Sequence, residues 1–306
     1  MYQWRPYQSE DDVQKMRDLL IAGRAANNGT YYFHSGDLDW GLYRPPNEQK
    51  RRDGIRLWDG DAHLLGWVYA PPQDGTLDVY IHPSIHRTAQ VKAMFDQAID
   101  WSVEQAKRHQ QERLEMDWVA DTDEWLRGQL AQYGFASANR DAVHFTRDLA
   151  HLPDSPLPAG YHIASVTSAD VGVQRAQATY RAFNNTAPWA EYLDRYQRFF
   201  TSPAHIGERD LVVVSPDGFG VSACCIWFDM TNRVGLFEPV GTHPDSQHKG
   251  LGKALMSEAL RRMKAAGLTS AIVSTNDTNT NGIALYQSMG FAIDMRLSLF
   301  EKRLVG

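Results

Sequence analysis

Cysteine is scarce in this chain of 306 residues: Cys224 and Cys225 are its only two, and they are adjacent. Two neighbouring cysteines cannot form the disulfide framework of a small secreted domain, so we interpret them as small buried hydrophobic residues. No apolar run approaches the roughly 18 residues that a membrane span needs, and the first residues do not resemble a signal peptide. These absences favour a cytoplasmic enzyme or binding protein that does not act on membranes.

Positive charge is not in surplus either. The chain has 31 Lys and Arg against 37 Asp and Glu, and the formal net charge of −6 arises entirely before residue 151. Residues 1–150 hold 17 basic and 23 acidic residues, whereas residues 151–306 hold 14 of each. Neither half has the basic excess of a nucleic-acid binder. No His, Cys, Asp or Glu spacing is typical of a metal site, so no metal cofactor is expected.

A proline-rich segment divides the chain. Residues 149–160 include Pro153, Pro156, Pro158 and Gly160, which cannot continue a helix or a central strand. Since a chain of this length holds about two domains at roughly 100–200 residues each, we predict one domain over residues 1–150 and a second over residues 151–306.

The second half follows a recognisable order of strands and helices. Apolar periodicity and turn residues predict β α α β β β α β α β, a mixed α/β domain. The helix over residues 250–266 has apolar residues at three- and four-residue steps, and Gly267 is placed to end it. The other predicted segments are residues 161–166, 168–183, 189–200, 211–214, 221–228, 234–240, 271–274, 279–289 and 291–300.

The first half contains a weak echo of the second. The stretch 79–83 and the helix-like residues after it resemble residues 240–244 and the helix that follows them. A second pair, residues 132–136 and 288–292, is also similar. We therefore interpret the chain as a tandem duplication, with a twisted mixed sheet flanked by helices in each copy.

Residues 240–254, VGTHPDSQHKGLGKA, have the pattern of an anion-binding loop. A strand leads into a glycine-bearing turn that opens an amphipathic helix. Glycine lets the backbone approach a bulky anion, and the N–H groups of the first helical turn attract negative charge. Lys249, Lys253 and His248 add to this field, so a pyrophosphate is the expected guest.

Other phosphate-binding loops do not fit this segment. A Walker loop would need glycine in place of Gln247 and Ser or Thr in place of Ala254. A dinucleotide-binding fingerprint would need a third glycine where Leu255 stands. Gly250-x-Gly252 by itself is also compatible with an ordinary tight turn at the start of a helix.

Two motifs together resemble those of the GNAT acetyltransferase superfamily. Gln247-x-x-Gly250-x-Gly252 after a strand is similar to the superfamily's Arg/Gln-x-x-Gly-x-Gly/Ala motif. Residues 279–291, with Asn279, Tyr286 and Gly290-Phe291, resemble its second signature, although glycine stands at 282 where alanine is more usual. The similarity covers residues 161–306 well and residues 1–150 only through the echo. The tandem arrangement looks like that of the mycothiol synthases.

The resemblance implies acetyl-CoA as acyl donor, with its pyrophosphate in the glycine loop. It implies pantetheine pairing and an oxyanion-type backbone N–H along the strand at residues 240–242. The cofactor-binding residues that it implies are Val240, Gly241, Thr242, Gln247, His248, Lys249, Gly250, Leu251, Gly252, Lys253 and Asn279.

The resemblance also implies direct transfer to an amine in a ternary complex. Tyr286 is the candidate general acid, because a phenol with a pKa of about 10 is protonated at neutral pH. Glu238 is the candidate base, since it lies two residues before Val240 on a strand and so shares its face. His243 is a rival base or a turn residue. Of the aromatic residues in the two helices before the hairpin, Trp189 is the one we expect to face the acceptor.

The first copy departs from the motif at critical positions. His86, Ala89 and Val91 correspond to Gln247, Gly250 and Gly252, and Leu130 corresponds to Tyr286. We therefore expect residues 1–150 to be a degenerate domain that supports or shapes the substrate site. The expected function is acetyl transfer to an amine of a small molecule or peptide. The alternatives are a non-catalytic acyl-CoA sensor or scaffold, and a mycothiol-synthase-like acetylation of a cysteinyl sugar.

Overall fold

The computed structural model describes residues 2–27, 33–43 and 48–304. Before the proline-rich linker, strands and helices alternate in a mixed α/β pattern. They are β1 (Gln3–Pro6), α1 (Glu10–Ala26), α2 (Ser35–Tyr43), α3 (Glu48–Gly54), β2 (Ile55–Asp59), β3 (Leu64–Tyr69), β4 (Asp78–Ile81), α4 (Ala89–Arg108), β5 (Arg113–Ala120), α5 (Glu124–Gln132) and β6 (Ala136–Asp148).

After the linker, the order of elements is the predicted one, β α α β β β α β α β. They are β7 (His162–Ser165), α6 (Ala169–Ala182), α7 (Trp189–Phe200), β8 (Asp210–Val214), β9 (Gly220–Asp229), β10 (Val234–Thr242), α8 (Leu251–Ala265), β11 (Ser270–Asn276), α9 (Thr280–Ser288) and β12 (Ala292–Arg303). In the ranges that the structure describes, no helix is both long enough and apolar enough to cross a membrane.

The strands form a four-stranded sheet, β1-β2-β3-β4, and an eight-stranded sheet, β5-β12-β6-β11-β10-β9-β8-β7. The border between the sheets therefore does not follow the linker. β6 from the first half lies between β11 and β12 of the second half, and β12 lies between β5 and β6. The two halves thus complete each other's strand pairing, which the sequence patterns did not indicate.

A buried side-chain contact also joins β6 of the first half to β12 of the second half. The Nδ1 atom of His144 on β6 lies 2.6 Å from Oδ1 of Asp294 on β12, and the imidazole is only 3% exposed. Between the β4 and β5 segments, the described residues form one isolated bridge, from Thr76 just before β4 to Glu115 on β5. The strand pairs from different halves are therefore more extensive than the β4–β5 contact.

The two faces of the large sheet pack against different parts of the chain. Alternate side chains of β9 pack on opposite faces of the sheet, because neighbouring side chains on a strand point in opposite directions. Cys224 and Ile226 pack in the core with Leu251 and Leu255 of α8, whereas Cys225 and Trp227 pack with α1 and α2. Both cysteines are buried and free, as the sequence indicated.

Candidate active site

The site begins where two parallel strands separate. β10 and β11 pair only over their first residues, from Val234–Ser270 to Leu236–Ile272. Beyond Leu236, β10 stays paired with β9 through a register shift between Phe237 and Val240. The Glu238–Pro239 peptide bond inside this shift is cis. Past this point β10 runs to Thr242, and the loop that follows it leads to the start of α8.

The loop between β10 and α8 has the conformation that its glycine suggests. Gly250 precedes the helix with φ +79°, and His248 also has a positive φ, of 60°. The helical ladder starts with the N–H of Ala254, which donates to the carbonyl of Gly250 at 3.0 Å. The three preceding N–H groups therefore have no carbonyl partner within the helix, as at any helix start. This end of α8 can bind an anion.

These elements border a cleft of about 440 Å³, which is in the size range of small-molecule sites. It brings together most of the residues that the motifs singled out. The predicted cofactor residues that line it are Val240, Gly241, Thr242, Gln247, His248, Gly250, Leu251, Gly252, Lys253 and Asn279, and Tyr286 lines it too.

Lys249 does not line the cleft. Its ammonium group instead donates to the carbonyl of Asp245 at 2.9 Å. Two of the lining side chains have structural partners: Gln247 Nε2 donates to the carbonyl of Thr242 at 3.2 Å, and Asn279 caps α9 by accepting the N–H of Gly282 at 3.1 Å. These contacts fix the shape of the loop and of the start of α9.

Tyr286 is buried, with 5% exposure, and its ring contacts Phe145 and Phe291. No hydrogen-bond partner of its hydroxyl occurs among residues 2–27, 33–43 and 48–304. Burial raises the pKa of this phenol, and the negative charge of Glu238 raises it further. The hydroxyl is therefore protonated at neutral pH and borders the cleft.

Glu238 lies next to the cleft rather than in its lining. Its backbone carbonyl accepts the indole N–H of Trp227 at 2.8 Å. Its charge contributes to the raised pKa values of Tyr286 and of Asp37, which is on α2. The candidate acid and the candidate base are thus electrostatic neighbours, and the charge of Glu238 also acts on Asp37 from the first half.

His243 is a turn residue: its Nδ1 accepts the N–H of Asp245 at 3.1 Å. Trp189 is half-buried and contacts Tyr180 edge-on, with ring centroids 5.3 Å apart. Phe183, by contrast, is 51% exposed and lines the cleft.

Some lining residues were not anticipated from the sequence. On α9 they follow helical spacing, which the motif alone does not indicate. They are Ala182 on α6, Ser246 in the loop before α8, and Asn281, Ala284 and Ser288 on α9, while Gly282 and Leu285 belong to the second motif and line the cleft as well.

Comparison with known proteins agrees with this geometry. Residues 176–291 match the acetyltransferase (GNAT) family. The mycothiol acetyltransferase of Pseudarthrobacter chlorophenolicus is 23% identical over 300 residues, which cover 93% of this chain and 85% of that protein. The ribosomal protein bS18-alanine N-acetyltransferase of Escherichia coli K12 is 28% identical over 143 residues, covering 47% of this chain and 79% of that protein.

Among solved structures, a tandem GNAT protein from the clavulanic acid biosynthesis pathway has the same fold. It superposes with a TM-score of 0.71 at 16% identity, covering 100% of this chain and 99% of that one. The family match lies on the half that contains the cleft, and the tandem fold spans both halves. Residues 176–291 therefore form a GNAT acetyltransferase domain, and the chain as a whole has the fold of a tandem GNAT protein.

Proposed function

We propose that this enzyme transfers an acetyl group from acetyl-CoA to a primary amine by direct attack in a ternary complex. The observation that carries the proposal is the position of Tyr286. Its buried, protonated hydroxyl borders the same cleft as the start of α8. An anion site and a proton donor at one cleft suit a substrate with a pyrophosphate at one end and a thioester at the other.

The residues around the cleft fit coenzyme A. The free N–H groups at the start of α8 would bind the pyrophosphate, and Lys253 and His248 line the same region. A Cβ atom at Gly250 would have no heavy atom within 4 Å, so this position leaves open space beside the loop. Acetyl-CoA would supply the activated acyl group.

The catalytic roles follow from the same residues. We assign to Glu238 the removal of a proton from the acceptor's ammonium group, directly or through water. A backbone N–H at Val240–Thr242 would stabilise the negative charge that develops on the acetyl oxygen. Tyr286 would donate a proton to the departing sulfur.

The raised pKa of Tyr286 is compatible with this donation. A tyrosine is a weaker acid than a thiol in water, with reference pKa values of about 10 and about 8.5. Burial also disfavours an anionic sulfur, so the acceptor of the proton becomes more basic in the same surroundings. The phenol therefore stays protonated until the sulfur leaves.

The two halves of the chain, on either side of residue 150, would have different roles. Residues 151–306 would bind acetyl-CoA and carry catalysis, while residues 1–150 would be a degenerate copy that shapes the acceptor site. β5 and β6 would then complete the catalytic sheet from the degenerate side. A cytoplasmic location is part of this proposal, and the free, buried cysteines favour it.

For the acceptor we favour a small molecule. The relative that aligns with nearly the whole chain is named for mycothiol acetylation, and the relative named for a ribosomal protein aligns with about half of it. The α2 helix covers the sheet face that carries Trp227, which suits a small acceptor enclosed between the halves. A cysteinyl amine is thus the first class to test.

The test has two stages. Thermal unfolding is measured with acetyl-CoA, free CoA and NAD, since a ligand at a hundred times its Kd adds about 2.7 kcal/mol of stability. Acetyl transfer is then followed by thiol release with S-methyl-L-cysteinamide, L-alaninamide and D-glucosamine. We expect stabilisation by both CoA species but not by NAD, and turnover with at least one amine. Binding without turnover would favour a sensor or scaffold instead.

A further inference from the structure

A bulge interrupts the strand that carries the candidate base. The register of β10 on β9 shifts between Phe237 and Val240, whose partners on β9 are two positions apart. Glu238 and Pro239 therefore stand together opposite one residue of β9, and a proline has no N–H to donate to the ladder. Such a bulge disrupts the backbone pairing and redirects side chains of the bulged strand. The direction of the Glu238 side chain thus depends on what holds the bulge.

A side chain of β9 holds it. The indole N–H of Trp227 donates to the backbone carbonyl of Glu238 at 2.8 Å. Trp227 is 7% exposed and packs against Phe199, with ring centroids 6.2 Å apart. A hydrogen bond is directional, and it is stronger inside a protein than in water. This bond therefore fixes the peptide unit of the candidate base relative to β9, as a ladder bond does elsewhere in the sheet.

The first half of the chain packs directly against Trp227. A Cβ atom at Gly36, in the first turn of α2, would be 2.3 Å from Cβ and 2.4 Å from Cγ of Trp227. No side chain fits at these distances, so a glycine is what lets α2 approach β9 this closely. Trp227 thus contacts α2 near its Cβ atom and the bulge at its indole N–H.

A histidine attaches the same turn of α2 to β10. The N–H of Gly36 donates to Nδ1 of His34 at 2.9 Å, and Nε2 of His34 lies 3.4 Å from the carbonyl oxygen of Val234. Burial lowers the pKa of His34 to about 3, so the ring is neutral at pH 7. A neutral ring that accepts at Nδ1 carries its proton on Nε2, which then faces the Val234 carbonyl as a donor. The turn therefore contacts β10 directly at its start and, through Trp227, at its bulge.

We propose that Trp227 is a positioning residue for Glu238 and that the His34–Gly36 turn of the first half keeps the Trp227 side chain in place. The inference rests on the proposed amine acetylation, with Glu238 as its base. A base must lie within about 2.6–3.2 Å of the group it deprotonates, or be joined to it by one water, so a small shift of the bulge is enough to impair it. The first half would thus act on the reaction without a cofactor loop and without touching a substrate.

The first experiment removes the indole N–H and keeps an aromatic ring. Trp227→Phe is compared with Trp67→Phe, because Trp67 is buried in the same core cluster, at 1% exposure. The indole N–H of Trp67 has no hydrogen-bond partner among the residues that the structure describes. Both variants lose the same atoms, but only Trp227→Phe loses a hydrogen bond to the bulge. We measure kcat and KM with the amine that the wild type acetylates fastest, and the Kd of acetyl-CoA by titration.

For Trp227→Phe we expect kcat to fall about 10- to 100-fold, since a misplacement of about 1 Å can cost a factor of about 100. The Kd of acetyl-CoA should stay within about twofold of the wild-type value. Trp67→Phe should keep the wild-type kcat, although it loses the same ring volume from the core.

A double variant distinguishes positioning from a general structural effect. Glu238→Gln removes the base and should lower kcat by about 10²–10⁴. If Trp227 acts through Glu238, adding Trp227→Phe to Glu238→Gln should lower kcat by no more than about twofold, because the effects of residues that act as one unit are not additive. Independent effects would multiply, and that result would overturn the inference.

The part of the first half is tested on α2 itself. Gly36→Ala should displace Trp227 and lower kcat as Trp227→Phe does, with an unchanged Kd for acetyl-CoA. Gly41→Ala is the matched control on the same helix, because a Cβ atom there meets no heavy atom within 4 Å, and it should keep the wild-type kcat. If Gly36→Ala does not fold, His34→Ala takes its place, since it releases the same turn from β10 without adding atoms.

The contrary results are distinct. Unchanged kcat in Trp227→Phe, or equal losses in Trp227→Phe and Trp67→Phe, would overturn the role of Trp227 alone. Unchanged kcat in the folded α2 variant would overturn the part assigned to the first half. A wild type that binds acetyl-CoA but acetylates no amine, or a Glu238→Gln variant with wild-type kcat, would contradict the proposed function itself, and the inference with it.

Discussion

The imidazole of His86 stacks on the indole of Trp125, with ring centroids 3.5 Å apart and planes 2° from parallel. The residues at the two corresponding positions of the second half line the cleft instead of stacking on each other. His86 follows Pro83 as Gln247 follows Pro244, and Trp125 lies two residues after the helix cap Asp123, as Asn281 lies after Asn279. The cavity that both residues help to line has a volume of about 40 Å³, against about 440 Å³ for the cleft lined by Gln247 and Asn281. On the proposed function, the stacked pair would occupy the space that a nucleotide needs in the first half.

This difference predicts opposite effects for the same substitution in the two copies. Gly250→Asp places a side chain at φ +79° and a negative charge at the start of α8. We expect it to weaken acetyl-CoA binding at least about 100-fold, measured by titration or by loss of the ligand-induced thermal shift. Ala89→Asp, at the start of α4, is the matched control and should leave the affinity unchanged. Equal losses in both variants would mean that the first copy also contributes to binding.

Tyr286→Phe separates chemistry from binding. The buried hydroxyl has no hydrogen-bond partner among the described residues, so its removal should cost little stability. We expect kcat to fall by about 10²–10⁴ while the Kd of acetyl-CoA stays the same. Because the pKa of Tyr286 is raised above 10.0, its ionisation should not reduce the wild-type kcat between pH 8 and 10.

The control for this variant is Tyr180→Phe. Tyr180 donates its hydroxyl to the carbonyl of Ala187 at 2.9 Å and is not part of the cleft lining. It should lose about 1 kcal/mol of stability and keep its turnover. Normal turnover in Tyr286→Phe would exclude the assigned role of this residue.

Local patterns were enough to predict the elements of the second half. The apolar stripe of α8, with Gly250 before it and Gly267 after it, depends on neighbours in sequence, and the helix was found at Leu251–Ala265. The same holds for the loop of the cleft, because its geometry depends on glycine and a helix start. Ten of the eleven cofactor residues that the motifs implied line the cleft, and Lys249 does not.

Long-range relations were beyond these patterns. The insertion of β6 between β11 and β12 depends on pairing between distant strands, and alternation within β6 carries no information about its partner. The contact between α2 and β10 is similar: His34 and Val234 are 200 positions apart and 3.4 Å from each other.

The ion pair of Arg175 and Asp210 is buried in the second half of the chain. Nε of Arg175 lies 2.7 Å from Oδ1 of Asp210, and the two side chains are 1% and 0% exposed. Burial alone would raise the pKa of Asp210, but Arg175 and hydrogen bonds from His205 and Tyr196 hold it below 3.8. Asp210→Asn leaves the guanidinium uncompensated and should cost about 3–5 kcal/mol in the free energy of unfolding.

Urea denaturation at neutral pH checks this value. Asp194→Asn is the control, because Asp194 and Arg198 form an exposed pair on one helix, with side chains 55% and 60% exposed. Its removal should change the unfolding free energy by about 0.5 kcal/mol or less. Similar costs for the two variants would contradict a stabilising role for the buried pair.

Asp78 gives the protein a defined dependence of stability on pH. Burial raises the pKa of this carboxyl from 3.8 to about 7, and the charge of Asp117 on β5 raises it further. Between these two pKa values the folded state binds a proton that the unfolded state has lost, so this contribution to stability decreases as pH rises from about 4 to 7.

Asp78→Asn should therefore raise Tm at pH 8, by roughly 2–4 °C for each 1 kcal/mol relieved, and leave it unchanged near pH 4. Asp61→Asn, at an exposed turn, is the control and should show no such trend. A Tm difference between wild type and Asp78→Asn that is the same at pH 4 and pH 8 would contradict the raised pKa, because only an ionisation whose pKa differs between the folded and unfolded states can make the difference depend on pH.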